Sequence, residues 1–137
     1  MSAQNVMRRW IAAANRGVST NVMAGQDAGL LNTTGANNVG LGYQALDANT
    51  TGDKNVAIGS GAGGANTTGA ENTLVGYLAG NAVTIGINNV LIGSSAGAVL
   101  TTGNDNVCVG QQAGDALTTG IDNVAIGSNA LGAATVV

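Results

Sequence analysis

Seven asparagines recur along the chain at a constant spacing of seventeen residues, and this period constrains the fold more than any other feature. They are Asn21, Asn38, Asn55, Asn72, Asn89, Asn106 and Asn123. The repeat around them runs from about residue 16 to residue 137. Self-similarity at a short fixed period is typical of a solenoid, in which each unit buries its apolar side only by stacking on its neighbours. We therefore predict an all-β parallel β-solenoid of about seven 17-residue coils.

The apolar positions of the repeat predict which side chains face the interior. When each Asn is counted as position 1, positions 2 and 4 are apolar in almost every unit. Alternate residues of a strand share a face, so we expect these two positions to point inward. Position 3 should then face outward, although it is also apolar or small. Since a strand that is apolar on both faces is covered on both, we expect an oligomer with Met23, Leu74, Leu91 and Cys108 at the subunit contact.

The remaining repeat positions predict the corners of each coil. Position 5 is Gly, position 8 is Ala and position 13 is Thr in all seven units, which suggests two short strands and two tight turns per coil. An Asn at a corner hydrogen-bonds its own turn and the amide of the next Asn, so the seven asparagines are predicted to stack as a structural ladder. A ligand-binding role for them is the alternative. Ice binding by Thr is disfavoured because adjacent residues such as Thr33 and Thr34 point to opposite faces.

The composition argues against catalysis and against several partners. The chain has no His, which excludes His-based triads and His metal sites. No Gly-rich stretch ends in the Lys-Ser/Thr pair of a phosphate loop, and Cys108 is predicted to be a small buried hydrophobe. We expect no enzymatic activity, no cofactor and no metal. The net charge of −3 argues against nucleic-acid binding, and no apolar run is long enough to span a membrane.

The segment before the repeat, residues 1–16, is predicted to be a short N-terminal α-helix, followed by the repeat domain at 17–137. The Ala-rich sequence favours a helix, and Ser2 and Gly17 suit its two ends. The helix could cover the first coil, dock on a partner, or do both. The docking residues would be Arg8, Arg9, Trp10 and Ile11, because Trp and Arg are enriched at binding hot spots. The arginines interrupt any apolar leader, so we expect no secretory signal peptide.

Two strings in the repeat resemble known proteins. The string Asn-Val-Ala-Ile-Gly, at 55–59 and 123–127, looks like the repeat in head domains of trimeric autotransporter adhesins. The longer string from Thr33 to Ala45 more closely resembles repeats of phage tail fibres and other virion proteins. This resemblance implies a left-handed β-roll wound as a homotrimer. The seventeen-residue unit is longer than the usual adhesin-head repeat, and we expect no C-terminal β-barrel anchor of the autotransporter kind.

The resemblance and the composition together predict a small non-enzymatic structural protein on the virion surface of a tailed phage. The preferred role is a trimeric capsid decoration, or cement, protein that docks on the major capsid protein through its N-terminal segment. The alternative is a short tail fibre or spike, joined to a tail or baseplate protein, that contacts the host surface and a glycan there. An adhesin fragment is a third interpretation.

Overall fold

The computed structural model describes residues 20–132, and these residues form a parallel β-solenoid. Its strands are β1 (Val22–Ala24), β2 (Val39–Leu41), β3 (Val56–Ile58), β4 (Thr73–Val75), β5 (Val90–Ile92), β6 (Val107–Val109) and β7 (Val124–Ile126). They lie side by side in chain order in one parallel sheet. Each strand residue pairs with the residue seventeen positions later, as Val56 does with Thr73. The solenoid predicted from the asparagine period is therefore confirmed, while the predicted helix at 1–16 lies outside the described residues.

Each coil contains one strand, so the prediction of two strands per coil was wrong. The Thr positions bond to the next coil, but not as a strand ladder: the backbone amides of Thr33, Thr34 and Gly35 all donate to the carbonyl oxygen of Thr50, at 2.9, 3.1 and 3.2 Å. Other corners hold left-handed backbone at non-Gly residues, for example Gln44 at φ 53° and Leu46 at φ 53°. Such residues interrupt extended backbone and turn the chain. Each coil is thus one short strand followed by a series of turns.

The Gly at position 5 ends every strand, and in the first six coils it does so for the two reasons that its recurrence suggests. Gly59 has φ +133°, a conformation that L side chains rarely adopt. A Cβ at this position would also overlap the carbonyl oxygen of Gly76 in the next coil. The corner therefore requires both the conformational freedom of Gly and the close approach of two backbones.

The strand faces are the reverse of those predicted. Position 3 points into the coil: Met23 is 3% exposed, and Leu74, Leu91 and Cys108 are 0% exposed within a single chain. Positions 2 and 4 point outward, as Ile126 at 69% exposure shows most clearly. The reason is that positions 1 and 3 share a face, and the Asn at position 1 lies inside the coil. The four predicted contact residues are therefore interior residues of one chain and do not form a subunit contact.

Small side chains fill the rest of the core. Ala at position 8 is buried in the first six coils, which agrees with the predicted corner that has room for one methyl group. Leu46, Val83 and Leu100 are also 0% exposed and pack with the position 3 side chains in one cluster. The interior of the described residues contains no aromatic side chain. The interior is therefore filled mainly by aliphatic, Ala and Asn side chains, while both tyrosines of the described residues lie on the outer surface.

Candidate functional site

The asparagines at position 1 form the predicted ladder. The backbone amide of Asn55 donates to Oδ1 of Asn38 at 2.8 Å, and that of Asn72 donates to Oδ1 of Asn55 at 3.0 Å. The side-chain amide of Asn55 crosses the coil to the carbonyl oxygen of Gly69 at 2.8 Å. The same contacts link successive coils from Asn21 to Asn123. This prediction is confirmed, and the chemistry of these side chains is used to hold neighbouring coils in register.

A second asparagine ladder lies at position 12 and was missed from the sequence. It consists of Asn32, Asn49 and Asn66, which are 3%, 0% and 0% exposed. Nδ2 of Asn49 donates to Oδ1 of Asn32 at 3.0 Å, and Nδ2 of Asn66 donates to Oδ1 of Asn49 at 2.8 Å. The signal was present in the sequence, because these three residues are also seventeen apart.

The second ladder ends abruptly at the third coil. The next residue at position 12 is Val83, which is fully buried and has no side-chain donor. Oδ1 of Asn66 consequently has no hydrogen-bond partner, although it is buried. An unpaired buried acceptor costs free energy, so the ladder carries one such cost at its end.

The Thr hydroxyls at position 13 are also used within the chain. Oγ1 of Thr33 donates to the carbonyl oxygen of Thr50 at 2.9 Å, and Oγ1 of Thr50 donates to that of Thr67 at 3.0 Å. Each of these two hydroxyl groups therefore donates its proton to a carbonyl oxygen of the neighbouring coil. This arrangement gives position 13 a structural role and further disfavours an ice-binding array.

The outward side of the sheet is a candidate interaction surface, and we call it the strand face. It consists of positions 2 and 4: Val22, Val39, Val56, Thr73, Val90, Val107 and Val124 with Ala24, Leu41, Ile58, Val75, Ile92, Val109 and Ile126. Thirteen of these fourteen residues are apolar and none is charged. Exposure reaches 69% at Ile126, at one end of the sheet, and is still 39% at Ile58 in the middle.

Charged side chains flank the strand face on its N-terminal side. Lys54 at position 17 forms a salt bridge with Glu71 in the next coil, with Nζ and Oε1 3.0 Å apart. The hydrogen bond and the negative charge of Glu71 raise the pKa of Lys54 above its ordinary value. Asp105 and Asp122 continue the same position in later coils. Polar or charged residues at position 17 therefore border the N-terminal ends of strands β2 to β7.

Two further titratable groups of the described residues have pKa values shifted by burial. Burial raises the pKa of the Cys108 thiol, which disfavours the nucleophilic thiolate. Desolvation also raises the pKa of Asp47, against two backbone hydrogen bonds that lower it. Within 20–132, no group of three or more His, Cys, Asp or Glu residues could hold a metal ion. That part of the chain also has no helix long and apolar enough to cross a membrane.

The remaining predicted site residues, Arg8, Arg9, Trp10 and Ile11, lie outside the described residues. No protein-family model, no curated protein and no solved structure matches this chain. The candidate site therefore rests on the geometry of the chain itself. That geometry offers an apolar sheet face, a charged border and interior ladders.

Proposed function

We propose that the protein is a non-enzymatic structural component that assembles as a homotrimer through the strand face. The observation that supports this most directly is the exposure of an uncharged apolar surface across seven parallel strands. Parallel sheets are normally covered on both faces, and a soluble monomer rarely exposes a continuous apolar patch of more than a few hundred Å². A second copy of the chain provides the missing cover.

The proposed oligomer is the homotrimer expected from the sequence, but its interface lies at positions 2 and 4 of the repeat instead of position 3. Contact through Met23, Leu74, Leu91 and Cys108 would require opening the core, whereas positions 2 and 4 are already on the surface. Three such faces around one axis bury each other and leave the charged position 17 at the rim. A polar, charged rim around an apolar centre is the usual anatomy of a stable interface.

We further propose that this trimer is a virion surface protein of a tailed phage, with the role of a capsid decoration protein. The resemblance of the repeat to those of virion proteins supports this role. Docking is assigned to the N-terminal segment, because Lys54 is the only Lys or Arg in residues 20–132 and is paired with Glu71. Arg8, Arg9 and Trp10 lie together in the N-terminal sequence, and Arg and Trp are residue types enriched at binding hot spots.

The assembly is tested by placing a charge on the strand face. Ile92→Asp puts a carboxylate in the proposed interface, where burial of an unpaired charge is strongly unfavourable. We expect sedimentation equilibrium to give a trimer for the unmodified chain and a folded monomer for this variant. Ile85→Asp is the matched control, because Ile85 is 54% exposed but lies at position 14, outside the strand face. A monomeric unmodified protein, or a trimeric Ile92→Asp variant, would refute the interface.

The virion role is tested with a chain that lacks residues 1–15. We expect the truncated protein to remain a trimer and to lose binding to purified capsids, while adsorption of the phage to its host is unchanged. Particle stability and adsorption rate are measured together with and without the protein. Loss of adsorption with unchanged capsid stability would instead support the tail-fibre alternative.

A further inference from the structure

Two exposed tyrosines form a second surface feature, separate from the strand face. The chain contains two Tyr, one Trp and no Phe. Both tyrosines, Tyr43 and Tyr77, stand at position 6 of the repeat, beyond the Gly corner that ends the strand face. They are 49% and 59% exposed. Aromatic residues are thus absent from the described core and are placed instead at one repeat position on the surface.

The backbone holds the two tyrosines at a defined separation. The amide of Gly61 donates to the carbonyl oxygen of Tyr43 at 2.8 Å, and the amide of Leu78 donates to that of Ser60 at 2.9 Å. Tyr43, Ser60 and Tyr77 therefore occupy successive coils linked by hydrogen bonds. With hydrogen-bonded strands ~4.8 Å apart, the two tyrosines stand about 9.5 Å apart along the solenoid axis. Ser60, which has a short side chain, occupies position 6 of the coil between them.

The rest of position 6 is polar and carries no charge. In chain order, position 6 as a whole consists of Gln26, Tyr43, Ser60, Tyr77, Ser94, Gln111 and Ser128. Ser hydroxyls and Gln amides both donate and accept hydrogen bonds, and aromatic rings provide flat apolar surfaces with a polar hydroxyl group. A ligand that suits this row has alternating apolar faces and hydroxyl groups, has no charge, and extends along the axis.

We propose that position 6 binds a linear, neutral, β-1,4-linked polysaccharide that runs parallel to the solenoid axis. In such a chain successive sugars are turned over, so every second ring presents the same C–H face. One disaccharide therefore matches two coils, with one sugar stacked on Tyr43 and the next but one on Tyr77. The hydroxyls of the intervening sugar lie over Ser60. This binding concerns the isolated protein and is independent of its location on a virion.

The binding test is native electrophoresis of the full chain through gels that contain hydroxyethylcellulose, a neutral β-1,4-linked glucan. We expect the unmodified protein to be retarded. Tyr43→Ser and Tyr77→Ser should each weaken binding by about tenfold, in the range observed when an aromatic ring that stacks on a flat ligand is removed. Ile85→Thr is the control, because it removes an exposed apolar side chain elsewhere and restores the Thr found at position 14 in neighbouring coils.

A second variant tests the spacing separately from the composition. Ser60→Tyr combined with Tyr77→Ser keeps two tyrosines but places them in adjacent coils. We expect it to bind as weakly as the single Tyr77→Ser variant. Sedimentation of every variant checks that the oligomeric state is unchanged. The proposal is overturned if the unmodified protein is not retarded, or if the adjacent-coil variant binds as tightly as the unmodified protein. It is also overturned if loss of binding coincides with dissociation, because the tyrosines would then be subunit contacts.

Discussion

The second asparagine ladder should respond to the same substitution very differently at its end and in its middle. We compare Asn66→Leu with Asn49→Leu. Leu is chosen because Leu100 is accommodated, fully buried, at the same repeat position. Both changes remove a fully buried amide and add the same apolar side chain. They differ in the number of buried acceptors that are left without a donor.

The count of unpaired acceptors gives the expected difference. The second ladder of the unmodified chain has one, Oδ1 of Asn66. Asn66→Leu removes that acceptor but deprives Oδ1 of Asn49 of its donor, so the number stays at one. Asn49→Leu leaves Oδ1 of both Asn32 and Asn66 unpaired, so the number rises to two. Because each such acceptor costs ~1–3 kcal/mol, Asn49→Leu should be less stable than Asn66→Leu by that amount.

The double variant provides a further check. With both asparagines replaced, only Oδ1 of Asn32 is unpaired, so adding Asn66→Leu to Asn49→Leu should recover about 1–3 kcal/mol. Urea unfolding followed by far-ultraviolet circular dichroism, at one fixed protein concentration, measures the free energies of unfolding. Equal destabilisation by the two single variants, or additive effects in the double variant, would refute the acceptor count.

Three other outcomes follow from the core. Leu91→Asp should unfold the chain rather than dissociate a folded protein, because Leu91 is fully buried within one chain; a folded monomer by circular dichroism and sedimentation would contradict this. Gly59→Ala should lower the urea midpoint more than Gly64→Ala, since only Gly59 combines φ +133° with a clash of the added Cβ against Gly76. Equal midpoints would show that the corner does not require Gly at position 5. Cys108 should react with iodoacetamide far more slowly in the folded protein than in urea, because burial raises the pKa of its thiol and keeps the reagent out. Equal rates would show that the thiol is accessible in the folded protein.

The period of the sequence was sufficient to predict the solenoid, the pairing register and the first ladder, because one residue type recurs at one position in every unit. It did not predict the strand faces, since positions 2, 3 and 4 are all apolar and hydropathy alone cannot order them. The deciding information was that the Asn at position 1 is buried, because alternate residues of a strand share a face. A buried Asn55 requires a buried Ala57, and it turns Val56 and Ile58 outward.

The turns and the second ladder were harder to predict for different reasons. Left-handed backbone at Leu46 and Leu78 contradicts the usual preferences of Leu, so local propensity gives no warning of it. The second ladder occupies only three of seven units, and Val83 and Leu100 at the same position make it look like a variable apolar site. Both features follow from contacts between coils, which a single repeat does not contain.

Because the second ladder ends before Val83, the N-terminal and C-terminal coils of the solenoid differ in how their interiors are packed. Coils before Val83 carry two buried polar rows, whereas the later ones replace one row with aliphatic side chains such as Leu100. In a solenoid, stability is close to a sum of unit and neighbour terms, so a local difference in packing becomes a local difference in the tendency to open. We expect folding to begin around Leu74, Leu91 and Leu100 and to extend toward both ends. The coils at both ends are then expected to form last and to open first, and those at the N-terminal end directly follow the proposed docking element in the sequence.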